Sequence, residues 1–335
     1  MILGRYLTIF FQFLIVTNIN GQYNGNETFA ILNFPTGTRI IGLGGVNVSL
    51  AHGDINMARA NPAAVDSVDN SDFSIQVSPF FGDLRHYSIA GSFQISDAPI
   101  VGYLSYLDYG DFIRRDDLGT QAGSFSPKDY VIGFSTYKTI QGFTFGLSTN
   151  FVESTIDGYG SSALFFNIGG IYTHPSMDIS FAVVAKNFGF KFSDFDTYDA
   201  KLPFQLQMGV SYKPKYMPAR LSITGSNLFN GHFDYFNVLV GDEQSISEIE
   251  NFFRHVTFGL ELLLSRKFSL LLGYDHLKNQ ELRQSSNSLG IGISLGVLIR
   301  IIKFEVCFSH TRYHLAGVVN SFGIQGNLKS LFKLF

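Results

Sequence analysis

Residues 289 to 297 read Leu-Gly-Ile-Gly-Ile-Ser-Leu-Gly-Val, so every odd position carries a bulky apolar side chain and every even position carries Gly or Ser. Successive side chains of a β-strand point to opposite faces of its sheet. The stretch therefore predicts a strand with one apolar face, pointing outward, and one face of small residues, pointing inward. The outward positions are Ile291, Ile293 and Leu295, and the inward positions are Gly290, Gly292 and Ser294.

The same alternation recurs in residues 86–95, 143–151 and 204–212; residues 143 to 151, for example, read Phe-Thr-Phe-Gly-Leu-Ser-Thr-Asn-Phe. Strands of a soluble sandwich also alternate, but they usually have only about five or six residues. Alternating segments of about ten residues are typical of transmembrane barrels, whose apolar side chains face lipid while small or polar side chains face the lumen. The fold class we predict is therefore all-β, a transmembrane antiparallel β-barrel.

Ten further segments of the sequence read as strands, which makes about fourteen in all. Bacterial single-chain barrels have an even number of strands. Because strand boundaries read from a sequence are soft by a few residues, twelve or sixteen strands remain open. The further segments lie near 73–79, 100–108, 130–138, 163–173, 179–187, 219–226, 256–264, 268–275, 300–309 and 316–328.

The connections between these segments differ in length. Long loops are expected on the outside of the cell and short turns in the periplasm. The long connections are 108–129, 188–203 and 228–252, and the short or polar ones are 138–142 and 280–287. The stretch 229–240 could hold another short strand, or a loop that folds into the lumen.

The composition agrees with a barrel in lipid. The chain has 335 residues, of which 45% are hydrophobic and 15% aromatic, and only 15% are charged, compared with roughly 25% in soluble domains. Its apolar runs are too short for a spanning helix, and only helices and closed barrels satisfy the backbone in lipid. The net charge of −3, without a long basic run, argues against nucleic acid as a partner.

The N-terminus reads as an export signal. Arg5 supplies a positive flank, residues 6–16 are mostly apolar, and a polar exit follows up to Gly21. A basic start, a short apolar core and a small-residue cleavage region define a secretory signal peptide. We assign residues 1–21 to it; a buried first strand is the alternative. The single Cys307 excludes an internal disulfide.

Residues 22–72 lack the alternation and are rich in small residues. They are predicted to form a plug-like segment inside the barrel of residues 73–335, and a mobile periplasmic tail is the alternative. A short helix is expected here, with Asp54 or Asn56 capping its start. It should end at Asn61, because this residue precedes Pro62. At the other end of the chain, the aromatic Phe335 after an alternating strand resembles the assembly signal of outer-membrane barrels.

Several short elements resemble, in their order along the chain, the PorV/PorQ family, whose members are relatives of the FadL-type long-chain fatty acid channels. The run from residue 29 to residue 62 most resembles the PorQ members. The matching elements are Phe34-Pro-Thr-Gly-Thr-Arg39, Leu43-Gly-Gly-Val-Asn-Val-Ser49, Asn56-Met-Ala58, Asn61-Pro-Ala63, Val184-Ala-Lys-Asn-Phe-Gly189, Leu202-Pro203 to Tyr212, Phe258-Gly-Leu-Glu261 and Leu272-Gly-Tyr274.

This resemblance implies an outer-membrane barrel of a Gram-negative bacterium of the Bacteroidetes, without enzymatic activity. It further implies a component of the type IX secretion system that holds a cell-surface partner of the attachment machinery, similar to PorZ. The expected partners are outer-membrane lipid and such attachment-complex proteins. A FadL-like transporter of hydrophobic small molecules is the alternative, and a barrel with a different role stays open, since fold alone does not fix function.

Candidate catalytic and cofactor motifs are weak in this sequence. Ser135 and Lys138 match the S-x-x-K pattern of penicillin-binding proteins, as do Ser330 and Lys333, but the companion S-D-N and K-T-G elements are missing. Ser135 also lies in an alternating run that reads as a strand. The pairs Gly42-x-Gly44 and Gly290-x-Gly292 are fragments of a dinucleotide fingerprint without its strand–turn–helix context. We therefore expect no catalytic residue and no cofactor.

Metal chemistry is not expected either. The eight His are scattered, and His255, His276 and His310 read as loop or interface residues, so no metal site is predicted. His314 lies four residues beyond His310, on the same strand face but some distance away. The cluster at residues 114–117, Arg-Arg-Asp-Asp, places two carboxylates next to two arginines and reads as a solvated loop.

Overall fold

The computed structural model of the chain describes residues 29–50, 53–95, 98–195, 201–229, 247–281, 290–314 and 317–332. In this part of the chain, fourteen antiparallel strands close into a barrel, in which neighbours in sequence pair and β1 pairs with β16. The barrel strands are β1 Asp72–Pro79, β2 Arg85–Ile95, β3 Ala98–Asp108, β6 Lys128–Ile140, β7 Phe143–Ile156, β8 Tyr159–Thr173, β9 Ile179–Ser193, β10 Gln205–Tyr212, β11 Ala219–Gly225, β12 Val256–Leu262, β13 Phe268–Asp275, β14 Ile293–Ile301, β15 Phe304–His314 and β16 Gly317–Asn327. The short strands β4 Phe112–Arg115 and β5 Gln121–Phe125 form a separate hairpin.

The predicted barrel of fourteen strands is confirmed, and each barrel strand coincides over most of its length with one predicted segment. One departure concerns β14, which begins at Ile293 rather than at residue 289. Gly290 and Gly292 have φ angles of 87° and 74° and form a turn ahead of the strand. The alternating pattern therefore extends beyond the strand into a turn that only glycine adopts without strain.

This turn corrects one predicted orientation. Ile291 was expected to point outward, but its side chain is only 2% exposed because it precedes the strand and lies inside. Ile293 and Leu295 do point outward, with 44% and 47% of their surface exposed, and Ser294 is buried. The assigned register thus holds from residue 293 onward.

The outside of the barrel is apolar. Along β7 the exposure alternates strictly, so that Phe143 and Phe145 are about half exposed while Thr144 and Ser148 are buried. Transfer of apolar surface out of water is favourable by about 25 cal/mol per Å². A barrel that turns its large apolar side chains outward is therefore more stable in lipid than in water, as expected for a transmembrane barrel.

The two ends of the barrel differ. At one end, which we call the turn end, β1 begins and β16 ends, and connections such as residues 96–97 and 141–142 are short. The opposite end, the loop end, carries the hairpin of β4 and β5 and two helices, α3 Glu248–Arg254 and α4 His276–Glu281. Most of the stretch 280–287, which was predicted to be a short or polar connection, lies outside the described residues. Before it, β13 ends at the loop end and the chain continues into α4.

Residues 29–67 form the plug, which lies inside the barrel. Its helices are α1 Thr38–Gly42 and α2 Met57–Ala60, with 3-10 turns at Ala30–Asn33 and Pro62–Ser67. The predicted short helix is confirmed as α2, and it ends before Asn61, whose backbone is extended with φ −147°. The Asp54 carboxylate accepts a hydrogen bond from the Asn56 backbone N–H at 3.0 Å at its start.

Some predictions concern residues outside the described part of the chain. The signal peptide at residues 1–21, most of the stretch 229–240 and the terminal Phe335 lie there. A last short helix, α5 Leu328–Phe332, follows β16. None of the helices in the described ranges is long and apolar enough to cross a membrane.

Candidate functional site

The plug contacts the barrel wall backbone to backbone. An added Cβ at Gly146 would lie 2.1 Å from the Ala63 nitrogen, and one at Gly273 would lie 2.1 Å from the Gly44 nitrogen. Glycine at these inward positions lets the plug approach the strands closely. Two clusters of buried apolar residues join the plug to the wall.

A buried ionic group fixes the plug near the turn end. Nη2 of Arg39 donates to both carboxylate oxygens of Glu261, at 3.0 and 2.8 Å, and Nη1 of Arg220 donates to the same carboxylate at 2.8 Å. Burial by itself would lower the pKa of Arg39, but Glu261, Asp54 and Glu305 raise it above its ordinary value. The guanidinium therefore stays charged, and its charge-assisted hydrogen bonds to the carboxylate are stronger than bonds between neutral groups.

Inward serines of the strands bind the plug backbone. Ser309 donates to the Thr38 carbonyl at 2.6 Å, and Ser180 donates to the Ser49 carbonyl at 2.7 Å. Since buried backbone carbonyls need a partner, these hydroxyls supply hydrogen bonds to carbonyl groups of the plug. The small polar residues at inward positions of the strands therefore form the surface of the barrel wall that binds the plug.

The serine of the S-x-x-K stretch also belongs to this surface of the barrel wall. The Ser135 hydroxyl donates to the Ala58 carbonyl at 3.1 Å, while Lys138 is exposed on β6. In a strand, residues three apart point to opposite faces. The two side chains are therefore not brought together, as they would have to be for a serine nucleophile with a lysine base.

The hairpin of β4 and β5 protrudes from the loop end. Phe112 stacks on Phe125 with ring centroids 5.6 Å apart, and Leu118 at its tip is 90% exposed. Nε of Arg114 donates to the Asp157 carboxylate at 3.0 Å and so holds the hairpin to the connection between β7 and β8. The charge cluster at residues 114–117 is thus exposed, as predicted, but it forms an ordered hairpin instead of an irregular loop.

Helix α3 presents a second apolar surface at the loop end. Ile249 is 71% and Phe252 63% exposed. The Ser247 hydroxyl accepts a hydrogen bond from the Glu250 N–H at 3.2 Å and caps the helix. Burial would raise the pKa of Glu250, but its hydrogen bonds to His276 and Arg254 lower it, so the carboxylate ties α3 to α4.

The histidines considered as metal ligands have ordinary partners. His255 contacts the Ser226 carbonyl at 2.9 Å, and His310 contacts the Asn320 side-chain oxygen at 2.8 Å. His276 contacts Glu250, as described above. In the part of the chain that the structure describes, no three His, Cys, Asp or Glu side chains are grouped as metal ligands would be.

A crevice opens between the plug and the wall on the loop side. Its volume is about 220 Å³. Plug residues around Phe34 and Asn47 form one side, and Lys186, Gln205 and Gln207 form part of the other. Sequence reasoning did not single out Lys186 as a functional residue, although its even-numbered position in β9, in step with the buried Ala182 and Val184, indicates an inward side chain.

Comparison with known protein families and with curated proteins found no match. Among solved structures, the deltaS2S3 mutant of the TodX monoaromatic hydrocarbon channel matches with a TM-score of 0.51 at 12% identity, over 86% of this chain and 96% of that chain. The Pseudomonas putida toluene transporter TodX gives 0.49 at 10% identity over the same shares, and a Pseudomonas aeruginosa FadL homologue gives 0.47 at 11% identity over 88% and 99%. At these identities the likeness concerns the fold, and the PorV/PorQ resemblance stays a prediction. The chain therefore has a closed fourteen-stranded barrel fold that is similar to the fold of the TodX channel.

Proposed function

We propose that this protein is a non-enzymatic outer-membrane barrel of the PorV/PorQ kind, which anchors a cell-surface partner of the type IX secretion attachment machinery. The observation that carries the proposal is the presence of two separate apolar surfaces at the loop end, Ile249 and Phe252 on α3 and Leu118 on the hairpin of β4 and β5, both on ordered elements outside the barrel strands. Aromatic and apolar anchors on ordered supports are typical of protein-docking surfaces. The order of PorV/PorQ-like elements in the sequence supports the same assignment.

The proposed location is the outer membrane of a Gram-negative bacterium, with the loop end outside the cell. The apolar exterior of the barrel supports insertion into lipid, and long loops face outward in bacterial barrels while short turns face the periplasm. In this orientation α3 and the hairpin of β4 and β5 are accessible to a partner at the cell surface, similar to PorZ. The turn end faces the periplasm.

The test replaces the loop-end anchors. Ile249→Ser together with Phe252→Ser should abolish co-purification of the surface partner from detergent-solubilised outer membranes, and should impair display of secreted proteins. Neither side chain is buried, so the barrel should assemble normally. The matched control is Tyr216→Ser, which removes a side chain that is 90% exposed at the turn end. The proposal fails if the double variant retains partner and display like the control.

A transporter of hydrophobic small molecules is the second candidate, and the likeness in fold to the TodX hydrocarbon channel favours it. A lumen-filling change should then block uptake. Asn150 is a poor position for this, because its side chain is already packed and hydrogen-bonded to Tyr103 and Ser148. Gln207 borders the crevice, so Gln207→Phe is the better test. Loss of toluene uptake with intact display of secreted proteins would support the transporter and contradict the scaffold.

A further inference from the structure

The crevice between the plug and the wall holds a buried lysine without a counter-charge. Lys186 is only 9% exposed and borders both the crevice and a smaller cavity of about 10 Å³ beneath it. No hydrogen bond or ion pair joins its ammonium group to any residue in the described ranges. Lysine is almost never buried in this way unless it is paired, because an isolated buried charge is costly.

An irregularity in the backbone of β9 determines the direction of the Lys186 side chain. Asn167 of β8 faces both Lys186 and Asn187, which is the two-against-one pairing of a β-bulge. Asn187 has a φ of 60°, and its N–H donates to the Asn167 side-chain oxygen at 2.8 Å. Bulges re-aim side chains and occur often beside functional sites. Here the bulge turns two consecutive side chains, Lys186 and Asn187, into the interior, and both are buried.

Two residues that border the same crevice carry donors without a partner. The Thr36 hydroxyl and the Asn47 side-chain nitrogen are buried and make no hydrogen bond, and both residues border the crevice. The Asn47 side-chain oxygen accepts from the N–H groups of Ser49 and Leu50, at 3.1 and 3.0 Å, which leaves its nitrogen free to donate. A buried donor without a partner is unfavourable, because the group has lost its hydrogen bonds to water. Two such donors beside the Lys186 ammonium indicate a missing acceptor.

A second buried cation lies on the far side of the small cavity. Arg59 borders this cavity together with Lys186 and is 7% exposed. It donates to the Ser105 hydroxyl at 2.6 Å and to the Ile31 carbonyl at 2.9 Å, both of which are neutral. Within the described ranges, no carboxylate lies at ion-pair distance from either cation. The Asp275 carboxylate also borders the crevice, but it is paired with Lys278 at 3.0 Å, so Lys186 and Arg59 leave an excess of positive charge next to the small cavity.

We propose that the crevice is an oxyanion-binding site, in which the Lys186 ammonium, the Thr36 hydroxyl and the Asn47 amide bind the oxygens of a compact phosphate or carboxylate group. The volume of about 220 Å³ is below the roughly 300–1,000 Å³ of sites for drug-sized molecules. The amides of Gln205 and Gln207 also border the crevice. A small polar anion fits these walls better than a long apolar chain.

The binding test uses the purified full-length barrel in detergent, with inorganic phosphate or acetate as the probe and chloride at equal ionic strength as the reference. Binding is measured by calorimetry. Lys186→Met keeps the length of the side chain and removes the charge, and it should weaken binding at least about tenfold, since hydrogen bonds to charged groups are the strongest. Lys138→Met removes the same charge from an exposed position of β6 and should bind like the unaltered protein.

A second variant covers the case in which Lys186→Met fails to fold. Thr36→Val keeps the shape of the side chain and removes only a hydroxyl that has no partner, so the barrel should fold. It should weaken binding severalfold. Phosphate binding without acetate binding identifies a phosphate-type ligand, and the reverse identifies a carboxylate; both support the site. Absence of binding by either probe, or equal binding by Thr36→Val and the unaltered protein, overturns the proposal.

Discussion

Glu261 shows how much one buried side chain controls in this molecule. It is 1% exposed and accepts hydrogen bonds from both Arg39 of the plug and Arg220 of β11. Its position inside the barrel follows from the alternation of β12, in which Val256, Thr257, Gly259 and Glu261 are buried. The identity of its ion-pair partner does not follow from this alternation, because Arg39 lies 222 residues away in the sequence. The inward charge was predictable, and the ion pair was not.

Glu261→Gln should destabilise the barrel by about 3–5 kcal/mol, because it removes the buried carboxylate that two buried guanidinium groups share. Urea unfolding followed by circular dichroism measures this. The control is Asp157→Asn, which removes the partner of Arg114 at the surface, where ion pairs contribute at most about 1 kcal/mol. Equal destabilisation by the two variants would contradict the assigned role of Glu261.

At the scale of the element, the strands were predictable and the loop structures were not. Each barrel strand carries an alternation of about ten residues, which is a local signal. The hairpin of β4 and β5 and helix α3 lie in the long connections 108–129 and 228–252, which show no such period. Their order depends on contacts with distant residues, such as the pair of Arg114 and Asp157, which the sequence does not reveal.

The position of a residue along its strand should decide how costly a charge is. Leu147 lies near the middle of β7 and is 45% exposed, so Leu147→Arg should cost about 2–4 kcal/mol. Ile293 opens β14 at the loop end, and Ile293→Arg should cost only about 0–1 kcal/mol. The measurement is reversible folding into lipid vesicles. A larger cost at Ile293 would place the barrel differently in the bilayer.

The plug and the hairpin should differ in their sensitivity to protease. Proteinase K should cut first near Leu118, which is 90% exposed, and should spare residues 53–60 around Arg59, which is buried. Mass spectrometry of the fragments locates the first cut. An early cut within residues 53–60, with the barrel left intact, would show instead that this segment is a periplasmic tail.

At the scale of the whole molecule, closure of the barrel leaves no strand edge unpaired, since β1 pairs with both β2 and β16. A closed hydrogen-bond network resists detergent unfolding. The protein should therefore fractionate with outer membranes and migrate differently on a gel before and after boiling. Recovery from the soluble periplasm, or identical migration, would contradict a membrane barrel.

The barrel fold could be predicted from the alternation of apolar and small residues, but the contacts inside the barrel could not. The sequence placed small and polar residues inward and the plug-like segment ahead of the strands. It did not predict that Lys186 lacks a counter-charge, because such a fact depends on every neighbour at once. Its inward direction could have been read from the alternation of β9 with Ala182 and Val184.

The hydrogen bonds of Thr38 also bear on the order of assembly. Thr38 contacts Ser321 of β16, 283 residues later, and accepts from Ser309 of β15, 271 residues later. Contacts between residues so far apart form late and slowly, because the ends of a very long chain segment must first meet. The plug is synthesised before the barrel strands, because it precedes them in the sequence. Its contacts with β15 and β16 nevertheless form late, because these strands are synthesised last. We therefore expect seating of the plug and closure of the barrel by β1 and β16 to be late steps of assembly.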